Sequence, residues 1–136
     1  MHPKYEYAAA LTNEVIRAAL EVQKHFGVGV LESIYIKALS REMELAGHKV
    51  AEEVPCTISY KGRVWSEKLR ADLIIDDCLV VEAKAIEHCD LQRFRMQTLS
   101  YMKILDIPLG LVINFGDDHL IQHGIKRVIL KDANET

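Results

Sequence analysis

Arg70-Ala71-Asp72-Leu73-Ile74-Ile75-Asp76-Asp77-Cys78-Leu79-Val80-Val81-Glu82-Ala83-Lys84 reads as two apolar strands joined by a tight acidic turn. Leu73-Ile74-Ile75 and Leu79-Val80-Val81 are near-continuous apolar runs, the pattern of strands covered on both faces. Side chains alternate along a strand, so Glu82 and Lys84 point the same way, about 7 Å apart, and Ala83 faces opposite with Leu79 and Val81. A three-residue turn, Asp76 to Cys78, sets Asp72 directly across from Glu82, with Cβ atoms about 5 Å apart. A two-residue Asp76-Asp77 turn would instead oppose Asp72 to Val81 and separate the carboxylates unless a bulge intervened. The expectation is an odd-numbered loop or a bulge. Acid-x-lysine alone is common on the wet face of a hairpin. Charges embedded in apolar strands are costly unless paired or metal-bound, and two carboxylates at this separation can share a divalent cation.

Upstream, Leu11, Val15, Ala18, Val22 and Phe26 recur at helical spacing, with Thr12 or Asn13 available as N-cap and Gly27 as the stop. Gly29 precedes a second helix running to about Gly47. Val54, Cys56, Ile58 and Tyr60 alternate with Thr57 and Ser59, a half-buried strand ending at the Lys61-Gly62 turn. Pro55 within it argues for an edge position or for a strand that begins there. The next strand is expected from about Arg63 to Ile75, and the one after it from Leu79 to about Ala85. Downstream, Asp90 can cap a helix from Leu91 to Leu105, Leu109 to Phe115 suits a buried strand, and Leu120 to Leu130 reads as a last strand. The order α-α-β-β-β-α-β-β describes a mixed α/β sheet with helices packed on it.

With 136 residues, 49% of them hydrophobic and 27% charged, the chain suits one domain over residues 1–136. No apolar stretch is long enough for a bilayer, and Met1-His2-Pro3-Lys4-Tyr5-Glu6 lacks a signal-peptide core, so a cytoplasmic protein with no membrane partner is expected. Cys56, Cys78 and Cys89 form no C-x-x-C and suggest neither a disulfide framework nor a zinc site; small apolar packing is their expected use. A net charge of −3 argues mildly against purely electrostatic nucleic-acid binding. Arg93, Arg95, Lys103, Lys126 and Arg127 are candidates for a local basic surface, although solvated faces are the commoner use of such residues.

Two helical patterns point towards the same chemistry. Gly29, Glu32 and Tyr35 form G-x-x-E-x-x-Y, with Glu32 and Tyr35 on one helix face; a first-turn carboxylate is also favoured by the helix dipole alone. Gln97 and Tyr101 form an i, i+4 pair whose ordinary explanation is a core-facing helix with a polar margin. His119 and His123 share a face whether their segment is strand or helix, with Asp117 and Asp118 nearby, but the spacing offers no convincing third ligand and surface histidines are more common. His25, His48 and His88 carry no clear signal. Tyr60 and Trp65 suit base stacking or ordinary hairpin packing.

Together these motifs resemble the PD-(D/E)XK nuclease superfamily, and within it the small bacterial GxxExxY group. The matching residues are Gly29 to Tyr35, Arg70-Ala71-Asp72-Leu73, Val81-Glu82-Ala83-Lys84 and Gln97 to Tyr101, then Ile113-Asn114-Phe115-Gly116 and Gly124 to Val128. Ala71 stands where the signature has proline, a position that shapes the strand and does no chemistry. The resemblance implies a restriction-endonuclease-like core, α-β-β-β-α-β, with an extra N-terminal helix and a C-terminal strand. It also implies a metal-dependent nuclease acting on nucleic acid, DNA favoured over RNA. By that resemblance Asp72, Glu82 and the backbone carbonyl of Ala83 would ligate Mg²⁺ or Mn²⁺, with Glu32 holding a water or a second cation. Lys84 would serve the nucleophilic water, and Gln97 and Tyr101 would position phosphate or lysine. The alternatives are a catalytically silent module of the same fold that binds nucleic acid or a protein, and a structural homo-oligomer. A homodimer is compatible with each.

Overall fold

The computed structural model describes residues 1–65, 69–88 and 90–136. Cys89, expected to pack as a small apolar residue, and positions 66–68 of the expected 63–75 strand lie outside them. Helix α1 (Tyr5–Phe26) starts well before Thr12. Its buried stripe of Ala8, Leu11, Thr12, Val15, Ala19 and Val22 extends the helical period backwards. Thr12 therefore sits mid-helix, where its hydroxyl donates to the Ala9 carbonyl at 2.7 Å instead of capping. Helix α2 (Glu32–Leu45) follows after the Gly27–Leu31 loop.

The expected strand through Val54 and Tyr60 is two elements. Strand β1 (Val50–Pro55) ends at its proline, and β2 (Ile58–Tyr60) pairs instead with β3 (Arg63–Trp65) in a separate two-stranded ribbon. Every residue of that ribbon is exposed, so alternation there marked no buried face. Strand β4 (Arg70–Ile75) returns to the main sheet, and β5 (Leu79–Lys84) pairs with it antiparallel. Helix α3 (Gln92–Leu105) then crosses to β6 (Leu109–Asn114), which runs parallel to β5. The expected Leu120–Leu130 strand is a short helix, α4 (Leu120–His123), followed by β7 (Ile125–Ile129). Gly124 packs tightly against α4: an added Cβ would lie 2.8 Å from Leu120 Cδ1 and 3.1 Å from the Asn114 carbonyl oxygen.

The five-stranded mixed sheet has the order β1-β4-β5-β6-β7. One core joins α1 and α2 to Leu73, Ile75, Leu79, Val81, Ala83, Leu109, Leu111 and Ile113. The opposite core joins α3 to Ile74, Val80, Val112 and Val128. Both faces of β4 and β5 are thus covered, which accounts for their unbroken apolar runs. This is the restriction-endonuclease-like α/β arrangement, with α1, the β2–β3 ribbon, α4 and β7 added to the central core.

Candidate active site

The turn between β4 and β5 is three residues long, with Asp76 and Asp77 at φ 51° and 54°. The pairs Ile75↔Leu79, Ile74↔Val80 and Leu73↔Val81 bring Asp72 and Glu82 level on the α3 face. Their carboxylates are held by main-chain donors: Ala83 N–H donates to Asp72 Oδ2 at 2.9 Å, and Asp72 N–H donates to Glu82 Oε1 at 3.0 Å. Glu82 is only 2% exposed. Burial raises the pKa of both acids, and for Glu82 the neighbouring Asp72 charge raises it further; the Ala83 N–H, Glu82 and Lys84 oppose the shift at Asp72 without cancelling it. The strand register has buried two like-charged groups with too little positive charge to match them. Their oxygen donors fit a hard divalent cation, which would relieve that imbalance.

Lys84 ends β5, at the same end of the sheet. Its ammonium lies 4.6 Å from the Phe94 ring centroid and 3.9 Å from Glu32 Oε1. Its side chain is held between α3 and the start of α2, with cation–π support from Phe94. The chain beyond Lys84 is pinned by Asn114, its neighbour in the β5–β6 ladder. Asn114 Nδ2 donates to the Ile86 carbonyl at 2.8 Å, and its Oδ1 accepts from Ile86 N–H and Gly116 N–H, each at 3.0 Å. An added Cβ at Gly116 would lie 2.6 Å from the Ile86 backbone, so only glycine allows this approach. The Asn114-Phe115-Gly116 motif thus fixes the path of the chain leaving Lys84.

The G-x-x-E-x-x-Y residues divide their work. Gly29 adopts φ 103°, a conformation that a side chain would strain. Tyr35 is fully buried, stacks on Phe115 at 4.6 Å, and donates its hydroxyl to the Gly27 carbonyl. Gly29 and Tyr35 therefore shape the loop that leads into Glu32 at the start of α2. Burial raises the Glu32 pKa, Lys84 lowers it, and Asp72 raises it. Glu32 stands at the margin of the pair: among the described residues, its carboxylate, Asp72 and Glu82 do not form a mutually close ligand triplet.

On α3, Gln97 Nε2 donates to the Tyr101 hydroxyl at 2.9 Å. Tyr101 is 3% exposed; burial, then the charge of Glu82, raises its pKa and keeps it a hydrogen-bond donor. Glu53 and Phe94 escaped the sequence reading. Glu53, at φ 49°, falls between the pairs Glu52↔Leu73 and Val54↔Ala71, across from Asp72, and its charge raises the Asp72 pKa. Adjacent acids on an edge strand gave no distinguishing signal. The five basic residues do not form one surface: Arg127 turns to α1, where it donates to Thr12 Oγ1 at 3.0 Å, while α3 lies on the other face.

The profile of the PD-(D/E)XK nuclease superfamily matches residues 9–128. The chain belongs to this superfamily. PD-(D/E)XK proteins are generally nucleases that use divalent metals, and the matched span contains Glu32, Asp72, Glu82, Lys84, Gln97 and Tyr101. No curated protein and no solved structure matches the chain. No helix among the described residues is long and apolar enough to cross a membrane.

Proposed function

We propose that this chain is a cytoplasmic, Mg²⁺- or Mn²⁺-dependent nuclease of the GxxExxY type, formed by a single domain over residues 1–136, with DNA favoured over RNA. The observation that carries this reading is the buried Asp72–Glu82 pair beside Lys84. Asp72, Glu82 and the Ala83 carbonyl would hold the ion, with Glu32 at its outer side. When bound, the ion supplies Lewis-acid polarisation of the scissile phosphate. Lys84, steadied by Glu32 and Phe94, orients the attacking water and offsets charge developing on the phosphate. Gln97 donates to the Tyr101 oxygen, which leaves the tyrosine proton free to position either the phosphate or an acidic ligand.

The β2–β3 ribbon supports a nucleic-acid partner. It follows β1, whose last residue, Pro55, pairs with Arg70 at the start of β4, the strand that carries Asp72. Tyr60 and Trp65 are 59% and 41% exposed, and Lys61 and Arg63 flank its tip. Aromatic faces with cations between them suit bases and phosphates. A homodimer would place two such sites on a duplex.

The test is incubation of purified protein with labelled single- and double-stranded DNA and RNA in Mg²⁺, Mn²⁺ or EDTA. Metal-dependent cutting with loss in Asp72→Asn is expected. Metal-dependent binding without cutting of any substrate would favour the silent nucleic-acid-binding module instead.

A further inference from the structure

A second set of metal-binding side chains lies apart from the Asp72–Glu82 pair. After β6 the chain turns through Gly116-Asp117-Asp118 into α4. His119 precedes that helix and His123 ends it; His123 N–H donates to the His119 carbonyl at 2.9 Å. This single turn brings the imidazoles to one side, with ring centroids 5.9 Å apart. Asp117 supplies the third ligand that spacing alone did not offer. One ligand atom from each of Asp117, His119 and His123 lies within 4.8 Å of the other two.

The surroundings orient these groups. Asp117 Oδ1 accepts from His119 N–H at 2.8 Å, and the Asp117 carbonyl accepts from Gln23 Nε2 on α1 at 2.7 Å. His119 Nδ1 lies 2.9 Å from Asp118 Oδ1. With the proton on Nδ1, Asp118 fixes the ring and Nε2 keeps its lone pair, the carboxylate–histidine arrangement common behind metal-bound imidazoles.

We propose that Asp117, His119 and His123 form a binding site for a transition-metal dication of the Zn²⁺ class. Two imidazoles and one carboxylate suit such an ion and poorly suit Mg²⁺ or Ca²⁺, which prefer all-oxygen sets. Metal–ligand bonds of about 2.1 Å put tetrahedral ligands roughly 3.4 Å apart, so the groups need to close by at most about 1.4 Å. Both histidines are exposed and have room to rotate. Three protein ligands leave a fourth position open to water or another ligand. The ion would tie the turn after β6 to α4, on the segment that begins at Asn114 beside Lys84.

Calorimetric titration of Zn²⁺ into the full, untagged chain tests this, with circular dichroism confirming that each variant is folded. One Zn²⁺ per chain is expected, with micromolar or tighter affinity, in the Asp72→Asn/Glu82→Gln double variant, whose carboxylate pair no longer competes for the ion. Affinity should fall at least about tenfold in His119→Ala and His123→Ala, and about tenfold in Asp118→Ala, which removes only the orienting carboxylate. The proposal is overturned if the Asp72→Asn/Glu82→Gln double variant shows no saturable Zn²⁺ binding, or if its Zn²⁺ binding survives both histidine substitutions.

Discussion

Replacing Glu82 by Gln should stabilise the metal-free protein while removing its response to Mg²⁺. The substitution keeps an Oε1 to accept from Asp72 N–H, the contact now 3.0 Å long, and supplies an amide that can donate to the Asp72 carboxylate. It removes one of two adjacent buried charges. Glu82 has a folded pKa raised above its ordinary 4.5, first by burial and then by Asp72. Protonation therefore favours the folded state: that stabilisation is complete below 4.5 and is lost as pH rises through the raised folded value. A buried carboxylate beside another can shift by several units at about 1.4 kcal/mol each, so at about pH 8 the pair costs on the order of 3 kcal/mol. For a chain of this length that corresponds to a Tm difference of roughly 10 °C. Thermal unfolding in EDTA should show Glu82→Gln melting higher at about pH 8, with the gap closing towards pH 4.5. Mg²⁺ at about a thousandfold excess over Kd should reverse the order, adding about 4.1 kcal/mol to the wild type and little to the variant. A variant that melts no higher than wild type in EDTA at the alkaline pH would mean that the Asp72–Glu82 pair carries no net electrostatic cost.

At the other end of the sheet, His48 lies 2.6 Å from Asp76 and 3.1 Å from Glu14, and Tyr7 donates to Asp76 at 2.8 Å. Burial opposes charge on His48, but Glu14 and Asp76 raise its pKa; burial likewise opposes charge on Asp76, but Tyr7, the Lys49 N–H and His48 lower its pKa. The His48 contribution is present below 6.5 and lost as pH rises through the raised value, while that of Asp76 is present above 3.8 and lost as pH falls through the lowered value. His48→Asn should therefore cost about 1–2 kcal/mol in mildly acidic buffer and less in alkali, read from denaturant midpoints. Tyr35→Phe should lose about 1 kcal/mol with its bond to Gly27 and slow cleavage by loosening Glu32, with Mg²⁺ binding at Asp72–Glu82 retained in calorimetry. Trp65→Ala should weaken single-strand binding by about 1–3 kcal/mol if the ring stacks on a base, measured by anisotropy in a Lys84→Ala background so that cutting does not intervene.

The core hairpin was legible because period-2 alternation and turn length fix register together: the three-residue Asp76–Cys78 turn decides whether Asp72 meets Glu82. Helix ends marked by Gly27 and Asp90 were legible for similar local reasons. The β2–β3 ribbon was not. Its alternating Ile58 and Tyr60 look like a strand with one buried face, yet both are exposed, because among the described residues the two strands of the ribbon pair with each other and not with the main sheet. Alternation reports extended backbone; burial depends on what packs there. Residues 120–123 misled for a related reason, since Leu120 anchors one helical turn whose period is too short to read. Glu53 and Phe94 meet the acidic pair and Lys84 only through tertiary folding, and no sequence spacing records that.

The carboxylate pair and its lysine are proposed to perform phosphodiester cleavage together, and Lys84→Ala isolates the part played by the lysine. Lys84 is neither a ligand in the Asp72–Glu82 pair nor part of the buried core, so its removal should leave folding and Mn²⁺ binding nearly intact. Single-turnover cleavage of the best substrate in saturating Mn²⁺, with wild type and variant purified in parallel, should show a loss of about 10²–10⁴-fold in rate. Equal rates for the two proteins would contradict the account.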